Sequence, residues 1–313
     1  MWIAICAVVG LIALFLLISA LCFFKVFYSR KRKVLRNDKI KLPHGKIYKE
    51  FREEITDWII AARKTTHKDF EIKSYDGLTL RARYYECCQG APIEIIFHGY
   101  RGDAERDMSG GIERCFNMGR NALLVDQRGC GRSDGHVITF GVREHKDCIS
   151  WINFVIEHFG EDVKIILTGV SMGAATVLMA GGRFLPSNVV CVVADSGYTS
   201  AKKIICTILK KKHLPAKLIY PFVKFGARLY GRFKLEEFPP ENAVTVTEIP
   251  TIFIHGDTDK FVPCSMSEEL HSRCSARRKR LLVINNAGHG LAYPCNKTEY
   301  IKVLQAIQEE CNF

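Results

Sequence analysis

The stretch that decides the fold reads Gly169-Val170-Ser171-Met172-Gly173, and its two flanks carry as much information as the stretch itself. Residues 163–168 before it are mostly apolar and β-branched, which predicts a buried strand. Residues 174–180 after it are small or apolar and compatible with a helix. A strand that turns sharply through G-x-S-x-G into a helix lifts the serine hydroxyl above the sheet, at the positive end of the helix dipole. Ser171 is therefore the candidate nucleophile.

An acid and a histidine follow downstream, in the order that this arrangement requires. Residues 251–254 read as a buried strand, and His255-Gly256-Asp257-Thr258-Asp259 comes directly after them. Residues 280–284 read as the next strand and lead into Gly288-His289-Gly290. Because open α/β sheets build their sites at the carboxyl ends of parallel strands, we expect both groups to lie near Ser171.

The motifs H-G-x-x-D-x-x-V-P and A-G-H resemble those with which serine hydrolases of the α/β-hydrolase superfamily present their acid and base. The resemblance covers the chain from about Phe70 onward. It implies an α/β-hydrolase fold, with a mostly parallel central sheet flanked by helices and a short helical cap. The Ser-Met-Gly-Ala-Ala-Thr elbow and the His-Gly-Tyr-Arg loop are very similar to those of small single-span α/β-hydrolases of Gram-positive bacteria.

Each candidate group has a role in this chemistry. A serine hydroxyl is a weak nucleophile at neutral pH, so an adjacent imidazole must take its proton as it attacks an acyl carbon. His289 is the candidate base, and a carboxylate must fix its tautomer. The resemblance implies Asp259 as that acid, because the family pattern places it three residues after the glycine of His255-Gly256. Asp257, which reads as a turn former, and Asp195, at the end of an earlier strand, are the alternatives.

The oxyanion that develops during acyl transfer needs two backbone N–H donors. One is the N–H of Met172, directly after the candidate nucleophile. The resemblance implies Tyr100 as the other donor, since it follows His98-Gly99 in the loop after the predicted strand 93–97. The side chains of His98 and His255 read as structural.

The amino-terminal stretch differs in composition from the rest of the chain. Residues 2–24 contain no charged side chain, and about 20 apolar residues suffice to cross a bilayer as a helix. We interpret residues 1–24 as a retained transmembrane anchor, residues 25–68 as a basic juxtamembrane segment with an amphipathic helix, and residues 69–313 as the catalytic domain. A cleaved signal peptide is the alternative, although no basic region precedes the span and no A-x-A site follows it.

The charge pattern around the span predicts an orientation. Basic residues follow it closely, namely Lys25, Arg30, Lys31, Arg32, Lys33, Arg36, Lys39 and Lys41. The positive-inside rule then predicts that the catalytic domain faces the cytoplasm. The chain has 13 cysteines, an odd number, without C-x-x-C spacing, which suits a reducing compartment. We therefore expect a single-pass protein of the cell membrane with a cytoplasmic catalytic domain.

The pattern of apolar residues over positions 46–68 predicts the amphipathic helix. Apolar residues recur there at helical spacing, namely Phe51, Ile55, Trp58, Ile59 and Ala62. Packing of this face on the catalytic domain is the first interpretation, and contact with the membrane is the second.

Residues 200–236 depart from the strand–helix alternation and predict an insertion, placed at about 200–240. The family resemblance implies a cap of one to three helices over the active site here. The stretch has ten Lys or Arg residues before its first acidic residue, Glu236, and many aromatic ones. Such a pattern suits an anionic membrane or an acyl chain with an acidic head group; the alternative is a lid that packs on the catalytic domain. The net charge of +12 comes without a nucleic-acid motif, so nucleic acid is not an expected partner.

These observations predict a membrane-anchored serine hydrolase that cleaves a carboxylic ester or thioester of an acyl substrate through an acyl-enzyme. A serine peptidase of the prolyl-oligopeptidase or aminopeptidase type and a non-catalytic, membrane-tethered binding module are the alternatives. A Ser-His-Asp triad needs no metal, and the sequence has no H-E-x-x-H cluster, so no cofactor or metal is expected. The natural acyl and leaving groups, the choice between hydrolysis and acyl transfer, and the oligomeric state stay open.

Overall fold

A mostly parallel sheet organises the molecule. The computed structural model describes residues 1–30, 40, 42–43 and 45–312. The strands in these residues are β1 (Lys68–Lys73), β2 (Thr79–Tyr85), β3 (Ile93–Phe97), β4 (Asn121–Asp126), β5 (Ile165–Val170), β6 (Val189–Asp195), β7 (Thr251–Gly256) and β8 (Lys279–Ile284). They lie in the order β1-β2-β4-β3-β5-β6-β7-β8. Strand β2 pairs antiparallel with β1 and β4, and the remaining pairings are parallel.

The antiparallel edge follows from a tight turn. Asp76-Gly77 stands between two alternating runs, a pattern that predicts a hairpin. The structure confirms it: Lys73 pairs with Thr79, and Gly77 has a φ of +88°, in the left-handed region that glycine adopts at no steric cost.

Helices cover both faces of the sheet. The helices of the described residues are α1 (Trp2–Val26), α2 (Arg52–Lys64), α3 (Ala104–Asn117), α4 (Glu144–Phe159), α5 (Met172–Gly181), α6 (Ala201–Lys211), α7 (Ala216–Leu229), α8 (Pro240–Ala243), α9 (Ser265–Arg273), α10 (Ala292–Cys295) and α11 (Lys297–Cys311), with a short 3₁₀ turn at Lys46–Tyr48. Every residue of β3 is buried, because Ile95 packs into the core beneath α4 and α5 while Ile96 packs into the core beneath α2 and α3. The predicted flanked parallel sheet is confirmed.

Helix α2 packs on the sheet domain, as the first interpretation of its apolar face predicts. Ile55, Ile59 and Ala62 are buried. The Nε1 of Trp58 donates a hydrogen bond of 2.9 Å to Oε2 of Glu113 on α3. The indole lies so close to Gly110 that a Cβ on that glycine would approach the ring to 2.7 Å.

The predicted insertion forms α6 and α7 between β6 and β7. Both helices contribute to a second apolar cluster, which also holds Phe23 and Phe27 at the end of α1 and Phe140 from the loop before α4. Helix α1 is therefore attached to the insertion along its carboxyl-terminal half.

Helix α1 is the one helix of the described residues that is long and apolar enough to cross a membrane. Most of the predicted basic juxtamembrane stretch, residues 31–39 and Lys41, lies outside the described residues. The proposed division of the chain at residues 24 and 68 stays a prediction.

Candidate active site

The turn between β5 and α5 holds Ser171 in an unusual backbone conformation. Its φ is 58° and its ψ is −113°, a strained combination for a residue with a side chain. The turn can be this sharp because a Cβ on Gly169 would come within 2.1 Å of the Gly173 backbone, and a Cβ on Gly173 within 2.0 Å of the Phe97 carbonyl oxygen. Two glycines thus permit the close approach that presents the serine at the carboxyl edge of the sheet.

The carboxylate nearest the candidate base belongs to Asp259. The Nδ1 of His289 lies 2.6 Å from Oδ2 of Asp259. The other oxygen of Asp259 accepts hydrogen bonds from the backbone N–H groups of Phe261 and Val262, at 2.7 and 2.9 Å. The loop after β7 therefore holds this carboxylate in one orientation toward the imidazole.

His255 supports the same carboxylate from below. Its Nε2 lies 3.2 Å from Oδ2 of Asp259 and 3.0 Å from the carbonyl oxygen of Val262, and its Nδ1 lies 2.7 Å from Oγ of Ser267. An Nε2–H tautomer satisfies all three contacts, because the hydroxyl of Ser267 then donates to Nδ1. Burial alone would raise the pKa of Asp259, but the hydrogen bonds from His255 and His289 hold that pKa well below its usual range.

The two alternative acids lie in different surroundings. Asp195 ends β6 and is buried, where it accepts hydrogen bonds from Oγ of Ser196 at 2.8 Å and from Oη of Tyr300 at 3.1 Å. Burial raises the pKa of Asp195. Asp257 is exposed in the turn after β7. Of the three carboxylates that the sequence offers as the candidate acid, Asp259 is the one hydrogen-bonded to His289.

The loop after β3 lies against Ser171. A Cβ on Gly99 would stand 3.4 Å from Cβ and 3.8 Å from Oγ of Ser171. Tyr100 follows Gly99 directly, and Met172 follows Ser171 as the first residue of α5. Gly99 and Ser171 are therefore in contact, and each is followed in the sequence by one of the two predicted oxyanion donors, Tyr100 and Met172.

His98 has the structural environment that its sequence context predicts. It is completely buried, its Nε2 accepts a hydrogen bond of 3.1 Å from the backbone N–H of Gln127, and its carbonyl oxygen accepts one of 2.5 Å from the Gln127 side chain. These contacts tie the loop after β3 to the loop after β4.

The same loop is also joined to α1. The hydroxyl of Tyr100 donates a hydrogen bond of 2.5 Å to the carbonyl oxygen of Val26. Arg101 donates from Nη2 to the carbonyl oxygens of Lys25 and Tyr28, at 2.9 and 3.0 Å. Burial raises the pKa of Tyr100 to about 12, so its hydroxyl stays a hydrogen-bond donor across the physiological range.

Ser171 and His289 line one cavity of about 460 Å³. Its apolar wall comes from α2 and α3, with Ile55, Trp58 and Met108 among the lining residues. The hydroxyl of Tyr48, in the 3₁₀ turn, donates to the carbonyl oxygen of His289 at 3.3 Å. The segment before the sheet therefore forms part of the cavity wall.

The described lining residues of this cavity lie outside the insertion at 200–240. The apolar faces of α6 and α7 pack around the end of α1, around Phe140 and around Met172, the residue after Ser171. The position of the insertion as a cap over the site stays a prediction. The roles of Tyr48 and Trp58 in the wall were missed, although the amphipathic pattern of residues 46–68 was a signal that this helix covers something.

Comparisons with known proteins agree with this fold. The profile of the alpha/beta hydrolase fold matches residues 95–205, and the profile described as serine hydrolase (FSH1) matches residues 169–297. The chain thus has the predicted α/β-hydrolase fold, and its residues 169–297 are similar to serine hydrolases.

Particular relatives are distant in sequence. The uncharacterized protein YqkD of Bacillus subtilis is 26% identical over 197 residues, which make up 63% of this chain and 64%, a little under two thirds, of that protein. Protein bem46 of Schizosaccharomyces pombe is 21% identical over 221 residues, 68% of each chain. The esterase Pf2001 of Pyrococcus furiosus superimposes with a TM-score of 0.67 at 22% identity, covering 91% of this chain and 98% of the esterase.

Proposed function

We propose that the protein hydrolyses carboxylic esters or thioesters of an acyl compound through an acyl-enzyme on Ser171. The observation that carries the proposal is the 2.6 Å contact between Nδ1 of His289 and Oδ2 of Asp259, in a cavity that Ser171 also lines. With Nδ1 bonded to the acid, Nε2 of His289 is the nitrogen left to act on the serine hydroxyl.

The reaction follows from these positions. Nε2 of His289 takes the hydroxyl proton while Oγ of Ser171 bonds to the acyl carbon, whose carbonyl oxygen becomes negatively charged. The backbone N–H groups of Tyr100 and Met172 bind this oxyanion. Collapse of the intermediate expels the alcohol or thiol, which receives the proton from His289. Water then attacks the acyl-enzyme by the same steps and releases the carboxylic acid.

Asp259 acts through His289. Its negative charge stabilises the imidazolium that forms in each half of the reaction, and its hydrogen bond keeps the imidazole in the productive tautomer. The low pKa of Asp259 keeps its carboxylate negatively charged at neutral pH. His255 and the backbone donors of the loop after β7 supply this environment.

The cavity wall favours a substrate with an apolar acyl part. Ile55, Trp58 and Met108 offer apolar surface beside Ser171 and His289, and small-molecule sites are typically apolar with a few placed polar groups. Esterases among the structural neighbours, such as that of Pyrococcus furiosus, support ester chemistry on this fold.

Helix α1 is proposed as a retained membrane anchor. Ser19, Phe23 and Phe27 are buried against the insertion, so removal of α1 as a signal peptide would expose part of an apolar core. The basic residues that follow the span support a cytoplasmic catalytic domain by the positive-inside rule.

Hydrolysis of p-nitrophenyl esters from acetyl to palmitoyl by the full-length protein in detergent micelles tests the proposed activity. Ser171→Ala should abolish most of the rate. The matched control is Ser272→Ala, which removes an exposed hydroxyl on α9 and should leave the rate unchanged. A Ser171-dependent rate that peaks at medium or long chains supports the acyl substrate, whereas a rate confined to acetyl and butyryl esters supports a small ester.

Equal rates for the wild type and Ser171→Ala on every ester would contradict the proposal. Labelling of the wild type, but not of Ser171→Ala, by a fluorophosphonate probe then separates an enzyme with another substrate, such as a peptidase, from a binding module. A binding module should show no Ser171-dependent label.

A further inference from the structure

Helix α7 carries an apolar face that the catalytic domain does not cover. Leu218, Phe222, Phe225 and Leu229 are spaced by four, three and four residues, which places them on one side of the helix. Leu218, Phe225 and Leu229 are 69%, 37% and 46% exposed. Soluble proteins rarely leave a contiguous patch of large apolar side chains in water, so this face indicates a partner.

The same helix lies along α1. The ring of Phe15 is 4.9 Å from that of Phe222 and 5.0 Å from that of Phe225. Closer to the catalytic domain, a Cβ on Gly226 would come within 2.5 Å of the carbonyl oxygen of Ser19. The two backbones are therefore in contact, and α7 cannot move away from α1 without opening this interface.

A hydrogen bond also shows where along α1 this interface lies. The hydroxyl of Tyr230, just after α7, donates a hydrogen bond of 3.1 Å to the carbonyl oxygen of Leu16. Contacts of α7 thus reach α1 at residues 15, 16 and 19, well before the first charged residue of the helix, Lys25.

The length of α1 then sets the depth of α7. A bilayer core takes about 20 apolar residues of a helix, and the uncharged part of α1 runs over residues 2–24. Every placement of about 20 residues within those limits includes residues 5–21. Phe15, Leu16 and Ser19 therefore lie within the hydrocarbon whenever α1 spans the bilayer, and the part of α7 beside them lies there too.

We propose that the outer face of α7 is embedded in the lipid bilayer beside α1, so that the insertion is a second membrane-contacting element. This inference rests on the proposed anchoring by α1, and it is independent of the catalytic assignment. The occupant of the apolar face is the acyl-chain region of the bilayer, because the face continues the exposed apolar surface of the adjacent spanning helix.

The charges on α7 fit the same position. Its basic residues are Lys217, Lys224 and Arg228, and the helix contains no acidic residue. Lys224 pairs at 2.5 Å with Glu236, which lies outside the helix. Long basic side chains can extend from an embedded helix to the head groups while their stems stay in the apolar layer. Anionic lipid head groups are the chemistry that such a set of cations attracts.

The site lies close to this proposed membrane surface. Arg101 lines the cavity and donates hydrogen bonds to the carbonyl oxygens of Lys25 and Tyr28, where α1 ends. An amphiphilic ester held in the bilayer would thus have its head group near the level of the cavity entrance.

Fluorescence quenching by lipids brominated on their acyl chains tests the proposal. The full-length protein is reconstituted into vesicles of phosphatidylcholine and phosphatidylglycerol, and Leu218→Trp is made in a Trp2→Phe background. The matched control in that background is Phe184→Trp. Phe184 is a fully exposed aromatic residue. It follows the end of α5, whereas Ser171 directly precedes the start of that helix.

We expect the added indole of Leu218→Trp to lose about half or more of its emission in brominated lipid and that of Phe184→Trp to be unaffected. Quenching of Trp2 in the otherwise unchanged protein reports on α1 itself. If Trp2 is quenched while Leu218→Trp behaves like Phe184→Trp, α1 is anchored and the inference for α7 is wrong. If Trp2 is not quenched either, α1 does not anchor the protein in the membrane, and the inference for α7 is wrong as well. A blue-shifted but unquenched indole at position 218 would mean that protein, such as a second copy, covers this face, which also overturns the proposal.

Discussion

The hydroxyl of Tyr100 reaches the carbonyl oxygen of Val26 at 2.5 Å, across 74 residues of sequence. Tyr100 belongs to the loop proposed to bind the oxyanion, and Val26 is the last residue of α1. The helix proposed to anchor the protein is therefore in direct contact with the loop proposed to stabilise the transition state.

Tyr100→Phe removes this hydrogen bond and keeps the backbone N–H that is proposed to act in catalysis. A net hydrogen bond contributes about 1 kcal/mol, so we expect the ester kcat to fall about fivefold with little change in KM. The measurement is steady-state hydrolysis of a p-nitrophenyl ester. An unchanged kcat together with a lowered Tm would show that the contact serves stability alone.

Ser171→Ala and His289→Ala should each lower kcat by roughly 10⁴-fold or more, and the double variant should lose little beyond that, because the members of a triad act as a unit. Circular dichroism should show that both single variants stay folded. Multiplicative losses in the double variant would mean that the two side chains act independently, against the proposed proton transfer between them.

Asp259→Asn should lower kcat by about a thousandfold or more, since the amide cannot stabilise the imidazolium or hold the same tautomer. Asp195→Asn should keep kcat within about tenfold, because Asp195 is hydrogen-bonded to Ser196 and Tyr300 and its loss disturbs mainly a buried hydrogen-bond pair. The reverse ranking of these two variants would move the acid from β7 to β6.

The depressed pKa of Asp259 also predicts how stability depends on pH. A carboxylate with a lower pKa in the folded than in the unfolded chain stabilises the fold above its unfolded pKa. That contribution is lost as the pH falls below about 4, toward the folded value. The Tm advantage of the wild type over Asp259→Asn should therefore be constant near neutrality and shrink below about pH 4. An advantage that persists unchanged at pH 3 would contradict the assigned direction.

Trp58→Ala should enlarge the acyl side of the cavity. The indole lines the cavity and donates to Glu113, so its removal should cost roughly 3 kcal/mol of stability, the lower end of the range for Trp→Ala, because Trp58 is half-buried. We expect the chain-length preference to shift toward longer acyl groups, measured as the ratio of kcat/KM for palmitoyl and butyryl esters. A uniform loss across the series would indicate a purely structural role for Trp58.

The sequence predicts those parts of the fold and site that depend on local patterns. The strands around Ser171 and the position of His289 after β8 follow from patterns a few residues long, and the choice of Asp259 over Asp257 follows from the family resemblance. The catalytic roles of these residues stay proposals until variants are measured.

Other features depend on contacts between distant segments, which no local pattern encodes. Tyr48 reaches His289 across 241 residues, and Tyr230 reaches Leu16 across 214. The apolar face of α7 was visible in the sequence, but the sequence does not state that α1, rather than the active site, would receive part of it. The sequence predicts one to three helices in the insertion, and the structure has α6 and α7 there; the position of the insertion over the active site stays a prediction.

The contact between α1 and α7 also imposes an order on biosynthesis. Phe27 leaves the ribosome about 200 residues before the end of α7, an interval of roughly 10–40 s at ordinary elongation rates. During that interval Phe23 and Phe27, which end up buried, have no finished partner, and an apolar helix in water for so long is exposed to aggregation. Insertion of α1 into a membrane while translation continues would shelter it, and α7 would then complete its fold against a helix that is already in place.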